Sequence, residues 1–353
     1  MPLTRAGNAT LTMVRAGQNA TRSFEGETLL NQRTVARTIR HTGIGLHSGR
    51  AVYLEIQPAA ANSGLRFVRT DLHPHVEIPA HPSSVFDTTL ATRLGSPEVY
   101  VSTVEHLMAA LFGLGVDNAR ICVNSSELPI VDGSAAPWLI LLDEAGIEDL
   151  GVPRPIRVVK KPIEVVDPRN PSRFIRVEPS KEPRITYSID FSNNALIGAQ
   201  SLSIPLTGRS FCEALSHART FCTAEEVEFL RSRGLALGGT LENAIVVSRT
   251  EGLLNAGGLR APDEFVRHKI LDCIGDLALL GTPISGHIIA HKAGHDLHTA
   301  LASKLAESSD AVEIKTSSSP SASSKERSRN RLLDFPTSLG ELPAFARLNL
   351  VSG

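Results

Sequence analysis

The chain has 353 residues, of which 42% are hydrophobic, so it is long enough to form more than one core. Its 36 basic and 37 acidic residues give a net charge of -1, which excludes the strongly basic surface typical of nucleic-acid-binding proteins. No window approaches about 18 uninterrupted apolar residues, so no transmembrane segment is expected. The four cysteines form no Cys-x-x-Cys pair, which favours free thiols in a reducing compartment.

The two ends of the chain differ in composition from its middle. Residues 1–31 are basic, poor in acids and rich in hydroxyl side chains, which predicts a disordered extension but also fits an organelle transit peptide. The protein is therefore expected in the cytoplasm, or in an organelle if that segment is a transit peptide. A Ser-rich run and a basic stretch predict a flexible linker and tail at 307–353. Between the ends we expect domain I at 32–152 and domain II at 153–306, with a junction at 149–155.

Domain I is predicted to consist of short strands and two helices. Strands are predicted at 34–40, 51–57, 65–69, 88–94, 100–102 and 118–123, and helices at 102–113 and 138–145. A Gly-rich turn at 41–49 separates the first two strands and carries His47. Ser102 or Thr103 is expected to cap the first helix.

Two adjacent polar residues, Glu105 and His106, stand at the start of that otherwise apolar helix. Burying them without partners would be costly. Glu105 could serve as part of the cap while His106 hydrogen-bonds a neighbour. Alternatively, a metal ligand beside a general base is a pairing that activates water for hydrolysis. These residues alone leave both interpretations open.

Domain II is predicted to begin with a meander of strands and to end with helices. Strands are predicted at 156–166, 173–178, 184–191, 200–205, 244–248 and 286–291, and helices at 210–215, 224–233, 265–280 and 297–305. The first four strands follow one another without an intervening helix, which is typical of an antiparallel meander. His295 is expected on a Gly-containing loop before the last helix.

The predicted helix at 265–280 carries a polar edge. His268, Asp272 and Asp276 are spaced four residues apart, so they stack along one side of the helix. An imidazole and a carboxylate one turn apart can hold two positions of a divalent cation. Lys269 places a positive charge beside them. A solvated polar stripe on a surface helix is the alternative.

A short pattern links the two domains. His106 and His268 each open an apolar helix, and each is followed seven residues later by a glycine, Gly113 or Gly275. This spacing fits two similar α+β halves that face each other and deliver one histidine each to a shared centre. His106, His268 and Asp272 would then supply the three protein ligands that a catalytic zinc usually takes.

Four further side chains could complete a hydrolytic site around such an ion. Glu105 would accept a proton from the attacking water. His295 would protonate the leaving group or stabilise the oxyanion, and Asp276 would keep it charged and oriented. Thr220 offers a hydroxyl to the developing oxyanion. Spacing alone does not bring these residues together.

Seven longer motifs occur in order along the chain: Thr-Gly-Ile-Gly-Leu-His-Ser-Gly (42–49), Ser-Thr-Val-Glu-His-Leu (102–107), Pro-Ile-Val-Asp-Gly-Ser-Ala (129–135), Ala-Arg-Thr-Phe (218–221), Leu-Gly-Gly-Thr (237–240), Phe-Val-Arg-His-Lys-Ile-Leu-Asp-Cys-Ile-Gly-Asp (265–276) and Gly-His-Asp-Leu (294–297). Together they resemble the zinc-dependent UDP-3-O-acyl-N-acetylglucosamine deacetylase family of lipid A biosynthesis, over roughly residues 32–305. The resemblance implies an α+β fold of two similar halves, each a sheet with helices, forming a β-α-α-β sandwich with an insert in each half. It also implies removal of the N-acetyl group from UDP-3-O-(3-hydroxyacyl)-N-acetylglucosamine with release of acetate.

The same resemblance assigns roles to individual residues. It implies the zinc ligands His106, His268 and Asp272, the catalytic residues Glu105, His295, Thr220 and Asp276, and the substrate contacts Lys269, Phe221, His47 and Leu90. It implies an acyl-chain passage formed by the insert at 221–247. Cys222 departs from the glycine of the enterobacterial form, which affects the mouth of that passage and not the metal ligands.

Cofactor and partners follow from the same family. Zn²⁺ is expected, and a His₂Asp set also suits Fe²⁺. The expected partner is the UDP-linked acylated glucosamine substrate, with no nucleic acid, and the chain is expected to be a monomer. A different zinc amidohydrolase or peptidase remains an alternative, but a peptidase has no use for an apolar passage. A binding protein with a decayed site is disfavoured because every catalytic position is filled.

Overall fold

The computed structural model describes residues 31–316 and 334–342. Apart from Asn31, the extension predicted at 1–31 lies outside these residues, as does most of the tail predicted at 307–353. The described helices are α1 (Glu105–Leu114), α2 (Ala136–Ala145), α3 (Gly208–Ala214), α4 (Ala224–Ser232), α5 (Glu264–Leu277) and α6 (His295–Glu307). No helix in the described ranges is long and apolar enough to cross a membrane.

The described strands of the first half are β1 (Asn31–Val35), β2 (Ile39–Ile44), β3 (Ala51–Pro58), β4 (Leu65–Arg69), β5 (Val76–Pro79), β6 (Val85–Asp87), β7 (Arg93–Gly95), β8 (Tyr100–Ser102), β9 (Ala119–Val123) and β10 (Ile147–Pro153). Those of the second half are β11 (Pro155–Val159), β12 (Ile163–Val166), β13 (Phe174–Glu178), β14 (Arg184–Phe191), β15 (Gly198–Pro205), β16 (Phe221–Thr223), β17 (Ile245–Ser248), β18 (Gly252–Leu253), β19 (Ile284–Ser285), β20 (His287–His291) and β21 (Val312–Thr316).

Each half contains a five-stranded sheet, and the two sheets have the same topology. Their strand orders are β2-β3-β9-β4-β5 and β12-β13-β20-β14-β15. In both, the central strand runs antiparallel to the strand on one side and parallel to the strand on the other, and both edge pairs are antiparallel. The predicted α+β fold of two similar halves is therefore confirmed.

The helices form the layer between the two sheets. Side chains alternate between buried and more exposed along β3 and β14, because successive residues of a strand point to opposite faces. The buried faces pack into one continuous apolar core with the helices. Helix α1 packs against α5, while α5 and α6 cover the second sheet. The α1–α5 contact is thus the seam between the halves.

Each half also carries an insert, as predicted. The first insert is the small sheet β6-β7-β8, which lies between β5 and α1. The second is the sheet β16-β17-β18 with α4, which lies between α3 and α5. Each insert therefore precedes the helix that its own half contributes to the seam, α1 in the first half and α5 in the second.

Several predictions about the strands are wrong. The strand predicted at 34–40 is two strands: β1 pairs with β10, and β2 pairs with β3. The predicted meander is interrupted, because β20 lies between β13 and β14 and runs parallel to β14. The stretch 149–155 contains β10 residues and the start of β11, and the domain junction expected there stays a prediction. In the stretch predicted as linker, β21 pairs with β11.

Two predictions about helix starts are also wrong. Helix α1 begins at Glu105 with Val104 at its N-cap, and no side chain caps it. Ser102 Oγ instead donates a hydrogen bond to the carbonyl oxygen of Ser126 at 3.1 Å. His295 is the first residue of α6 and not a loop residue.

Residues 334–342 follow the strands and helices of both halves in the sequence and pack against both halves. We call them the docked segment. Phe335 is buried, and its ring centroid lies 5.5 Å from that of Phe112. The guanidinium carbon of Arg154 lies 4.5 Å from the same ring. Because Phe112 belongs to α1 and Arg154 directly precedes β11, the docked segment contacts both halves at the end of the seam.

Candidate metal centre and active site

The site lies where the start of α1 meets the middle of α5. A Cβ atom on Gly275 would overlap the backbone carbonyl of Glu105, so α1 can approach this closely only because residue 275 has no side chain. The contact sets Glu105 and His106 against the polar edge of α5. The glycine seven residues after His268 is therefore required by the close contact between α5 and α1.

Three potential metal ligands converge at this contact. The Nε2 atoms of His106 and His268 lie 3.6 Å and 3.3 Å from Asp272 Oδ1. One ligand atom from each of the three residues lies within 4.8 Å of the others, and all three side chains are buried. The Nδ1 atom of His268 donates to the carbonyl oxygen of Ala218 at 3.0 Å, which leaves Nε2 facing the centre.

The charge states of these residues suit a divalent cation. Burial lowers the pKa of His268 to about 4, so its imidazole is neutral at pH 7. Although burial acts in the opposite direction, the neighbouring histidines and Lys269 hold the pKa of Asp272 well below its usual range. Lys269 Nζ donates to Asp272 Oδ2 at 2.7 Å and leaves Oδ1 for the centre. Although burial acts in the opposite direction, the hydrogen bond to Asp272 and the charge of Glu105 raise the pKa of His106. Two imidazoles and one carboxylate form a donor set that zinc and ferrous iron accept.

Glu105 lies next to this trio and is 4% exposed. Burial raises the pKa of its carboxyl group. The backbone N–H of Thr92 donates to Glu105 Oε2 at 3.2 Å and fixes the carboxylate. A raised pKa makes this carboxylate a better proton acceptor than a solvated one.

A second network is centred on the buried carboxylate of Asp276. Its Oδ2 atom accepts hydrogen bonds from Nδ1 of His295 at 2.7 Å and of His298 at 2.9 Å, and its Oδ1 accepts one from the Thr92 hydroxyl. Although burial opposes both shifts, the pairing lowers the pKa of Asp276 to about 2 and raises that of His295 to about 9. His295 is therefore protonated at neutral pH. Since both Nδ1 atoms already donate to the carboxylate, this group is a hydrogen-bond network and not a second metal site.

A small cavity opens beside the trio. Besides the three potential ligands, it is lined by Glu105, Thr220, His295, His47, Leu90 and Thr103. The structure therefore brings together every predicted catalytic residue except Asp276, which contacts the cavity through His295. Both ring nitrogens of His47 are buried and have no hydrogen-bond partner among residues 31–316 and 334–342.

Two predicted substrate contacts, Phe221 and Lys269, lie beside this cavity and do not line it. The Phe221 ring packs edge-on against Phe265 at 5.0 Å and Phe191 at 5.6 Å, and lies 6.2 Å from the His268 ring. Lys269 is held against Asp272.

The insert of the second half reaches across the seam to the Gly-rich turn of the first. The backbone N–H of Leu237 donates to the carbonyl of His47 at 3.2 Å, and that of Gly238 donates to Leu46 at 3.0 Å. Yet Phe229 and Leu237 on this insert are each 57% exposed. The insert thus carries exposed large apolar side chains, one of which belongs to Leu237, the residue that contacts the Gly-rich turn bearing His47.

Some residues of the site were not predicted. His298 follows His295 by three residues, and this spacing on a helix is a signal that could have placed both on one face. Thr92 gave no signal, because it lies in a stretch predicted as a strand that is a loop in the structure. Thr103 was assigned to a helix cap and lines the cavity instead.

The fold and the site define an α+β protein with a candidate metal centre between two duplicated halves. The family model for LpxC, UDP-3-O-acyl N-acetylglycosamine deacetylase, matches residues 32–307. A UDP-3-O-acyl-N-acetylglucosamine deacetylase of Campylobacter jejuni is 45% identical over 285 residues, which cover 81% of this chain and 95% of the relative. Those of Pseudomonas entomophila and Methylococcus capsulatus are 45% and 44% identical over 287 residues, or 81% of this chain and 93% of each relative. The chain therefore belongs to the UDP-3-O-acyl N-acetylglycosamine deacetylase family.

Proposed function

We propose that this protein is a metal-dependent deacetylase that hydrolyses the N-acetyl group of UDP-3-O-(3-hydroxyacyl)-N-acetylglucosamine and releases acetate, in lipid A biosynthesis. The observation that carries this proposal is the convergence of the His106–His268–Asp272 trio, Glu105 and His295 on one buried cavity. The relatives are named for the same activity.

His106, His268 and Asp272 would hold the ion, with Zn²⁺ the expected metal and Fe²⁺ also suited to the set. When bound, the ion would supply Lewis acidity to the acetamide carbonyl and lower the pKa of water. The neutral imidazole of His268 and the ionised carboxylate of Asp272 support this assignment because each can ligate without first losing a proton.

The chain's own residues would then move the protons. Glu105 would accept a proton from water as the water oxygen attacks the carbonyl carbon, and the Thr220 hydroxyl would donate to the oxyanion. His295 would give its Nε2 proton to the amide nitrogen as the C–N bond breaks, so that acetate and the sugar amine leave. This Nε2 lies 4.0 Å from Asp272 Oδ2, which is consistent with a proton donor that faces the trio. Asp276 would keep His295 charged.

The substrate contacts remain part of the proposal. Lys269 would lie near the diphosphate, Phe221 would pack against the substrate, and His47 and Leu90 would border the acyl passage. The exposed apolar side chains of the insert favour an acylated substrate over a plain amide or peptide. We expect UDP-N-acetylglucosamine without the acyl chain to have a kcat/KM at least about a hundredfold lower, because each buried methylene contributes about 0.8 kcal/mol.

The proposal is tested by deacetylation of the acylated UDP-sugar with metal-loaded protein. Glu105→Gln should lower kcat by about a hundredfold or more while the metal content stays at that of the wild type. His268→Ala should lose both metal and activity. Glu55 on β3 is half-buried and pairs with Arg40 on β2, and it provides the matched control: Glu55→Gln should have normal activity. If the Glu105→Gln enzyme is as active as the wild type, Glu105 is not the general base.

A further inference from the structure

Thr103 has a backbone conformation that its residue type disfavours. Its φ angle is 59°, in the left-handed region, where a β-branched side chain is strained. The residue lies two positions before Glu105 and directly precedes the N-cap of α1. Strain of this kind persists only where the surrounding structure fixes it, and such residues cluster at functional sites.

The hydroxyl group of Thr103 is buried and unpaired. The residue is 4% exposed, and Oγ1 has no hydrogen-bond partner in the described part of the protein. Burying a hydroxyl without a partner is destabilising. The neighbouring Ser102 satisfies its own hydroxyl on the Ser126 carbonyl, so the local backbone does offer acceptors. Thr103 does not use them.

The missing partner has to come from the cavity. Thr103 lines the same cavity as Glu105, Thr220 and His295. Thr103 reaches it from the start of α1 in the first half, whereas Thr220 reaches it from the segment before β16 in the second half. Two hydroxyl groups thus face one small space from the two halves.

We propose that Thr103 is a substrate-contacting residue, whose Oγ1 atom accepts a hydrogen bond from the N–H of the acetamido group that is hydrolysed. This inference rests on the proposed function. An amide presents one oxygen and one N–H, and in the proposed reaction the Thr220 hydroxyl donates to the oxygen. The Thr103 hydroxyl holds the other end of the group and orients its carbonyl carbon toward the water that Glu105 deprotonates.

The test compares Thr103→Val with Thr103→Ser in metal-loaded enzyme. Valine keeps the β-branched shape and removes the hydroxyl, so kcat should fall about tenfold, the effect of one neutral hydrogen bond. KM should change little, because the nucleotide and the acyl chain supply most of the binding energy. Thr103→Ser should restore kcat to within about threefold of the wild type. The metal content of both variants should be normal.

Thr34 provides the control for a structural role. It is 1% exposed, and its Oγ1 accepts a hydrogen bond from the backbone N–H of Ala59 at 3.0 Å, away from the site. Thr34→Val should therefore lower Tm and leave kcat unchanged. Thr103→Val should do the reverse, with a Tm equal to or above that of the wild type, because no protein hydrogen bond is lost.

Three outcomes would overturn the inference. A wild-type kcat in Thr103→Val means that the hydroxyl does not contact the reacting group. A loss of activity that accompanies a lower Tm or a lower metal content means that Thr103 is structural. An inactive wild type overturns the proposed function as well, whereas an active wild type with an unaffected Thr103→Val overturns only the role of Thr103.

Discussion

The two halves of the molecule share one sheet topology but contribute to the site in different ways. In the first half, Glu105 and His106 are the first two residues of α1. In the second half, His268, Asp272 and Asp276 extend along the body of α5. The duplicated scaffold therefore fixes where the two helices meet, whereas the position of each residue along its helix decides which half supplies the proposed base and which supplies two of the three potential ligands.

The largest expected effect comes from the two glycines that follow the paired histidines. An added Cβ at Gly275 would meet the backbone of Glu105, while one at Gly113 would meet the Phe211 side chain. Gly275→Ala should lower activity at least about a hundredfold and destabilise the protein by about 3 kcal/mol, because backbone has to move. Gly113→Ala should destabilise by about 1–2 kcal/mol and keep activity within about threefold, since a side chain can shift. Urea unfolding measures the loss of stability in each variant, and kcat measures the loss of activity. Equal losses in Gly275→Ala and Gly113→Ala would contradict the expected difference between the two glycines.

An intermediate effect is expected from the proton donor, which the second half supplies alone. In the proposed reaction His295 acts in its protonated form, so activity is lost as pH rises through its pKa, about 9 with Asp276 ionised. Asp276→Asn removes the negative charge and lowers that pKa. The alkaline limb of the kcat–pH profile should therefore move to lower pH, with a smaller kcat at pH 8 than at pH 6.5. If the alkaline limb does not shift in this variant, the loss of activity at high pH is not due to deprotonation of His295.

The smallest effect on activity is expected for the docked segment, which contacts both halves at the other end of the seam. Phe335→Ala should lower the free energy of unfolding by about 2–3 kcal/mol, because a buried aromatic contact with Phe112 is lost. Activity at 25 °C should be unchanged, since α1 separates this contact from the site. Phe229, 57% exposed, is the matched control, and Phe229→Ala should leave the unfolding free energy within about 0.5 kcal/mol. A destabilisation no larger than that of the control would mean that the docked segment does not hold the halves together.

The sequence predicted the features that are local or periodic. The helical spacing around His268 and the alternation in β14 depend on near neighbours, so α5 and this strand were found. The place of β20 was missed because its pairing with β13 and β14 joins residues distant in the chain. The meeting of His106 with Asp272 was likewise not deducible from spacing; the family motifs implied it.

The errors near the site have a common cause. A Ser or Thr before an apolar helix is typical of a cap, and this rule assigned Thr103 to α1. The positive φ of Thr103 and its buried hydroxyl, which has no partner in the described part of the chain, are properties of the folded backbone and cannot be recognised from residue types. Thr92 was missed for a similar reason, because only the folded chain brings it to Asp276.

The seam between α1 and α5 has a thermodynamic consequence. In the proposed metal centre, an ion held by His106 from one half and by His268 and Asp272 from the other would act as a reversible cross-link between segments distant in sequence. Because the unfolded chain has no such site, each tenfold increase in free metal above the dissociation constant adds about 1.4 kcal/mol to the stability of the native state. If the proposed metal binds there, its free concentration would therefore also set how firmly the two halves stay joined.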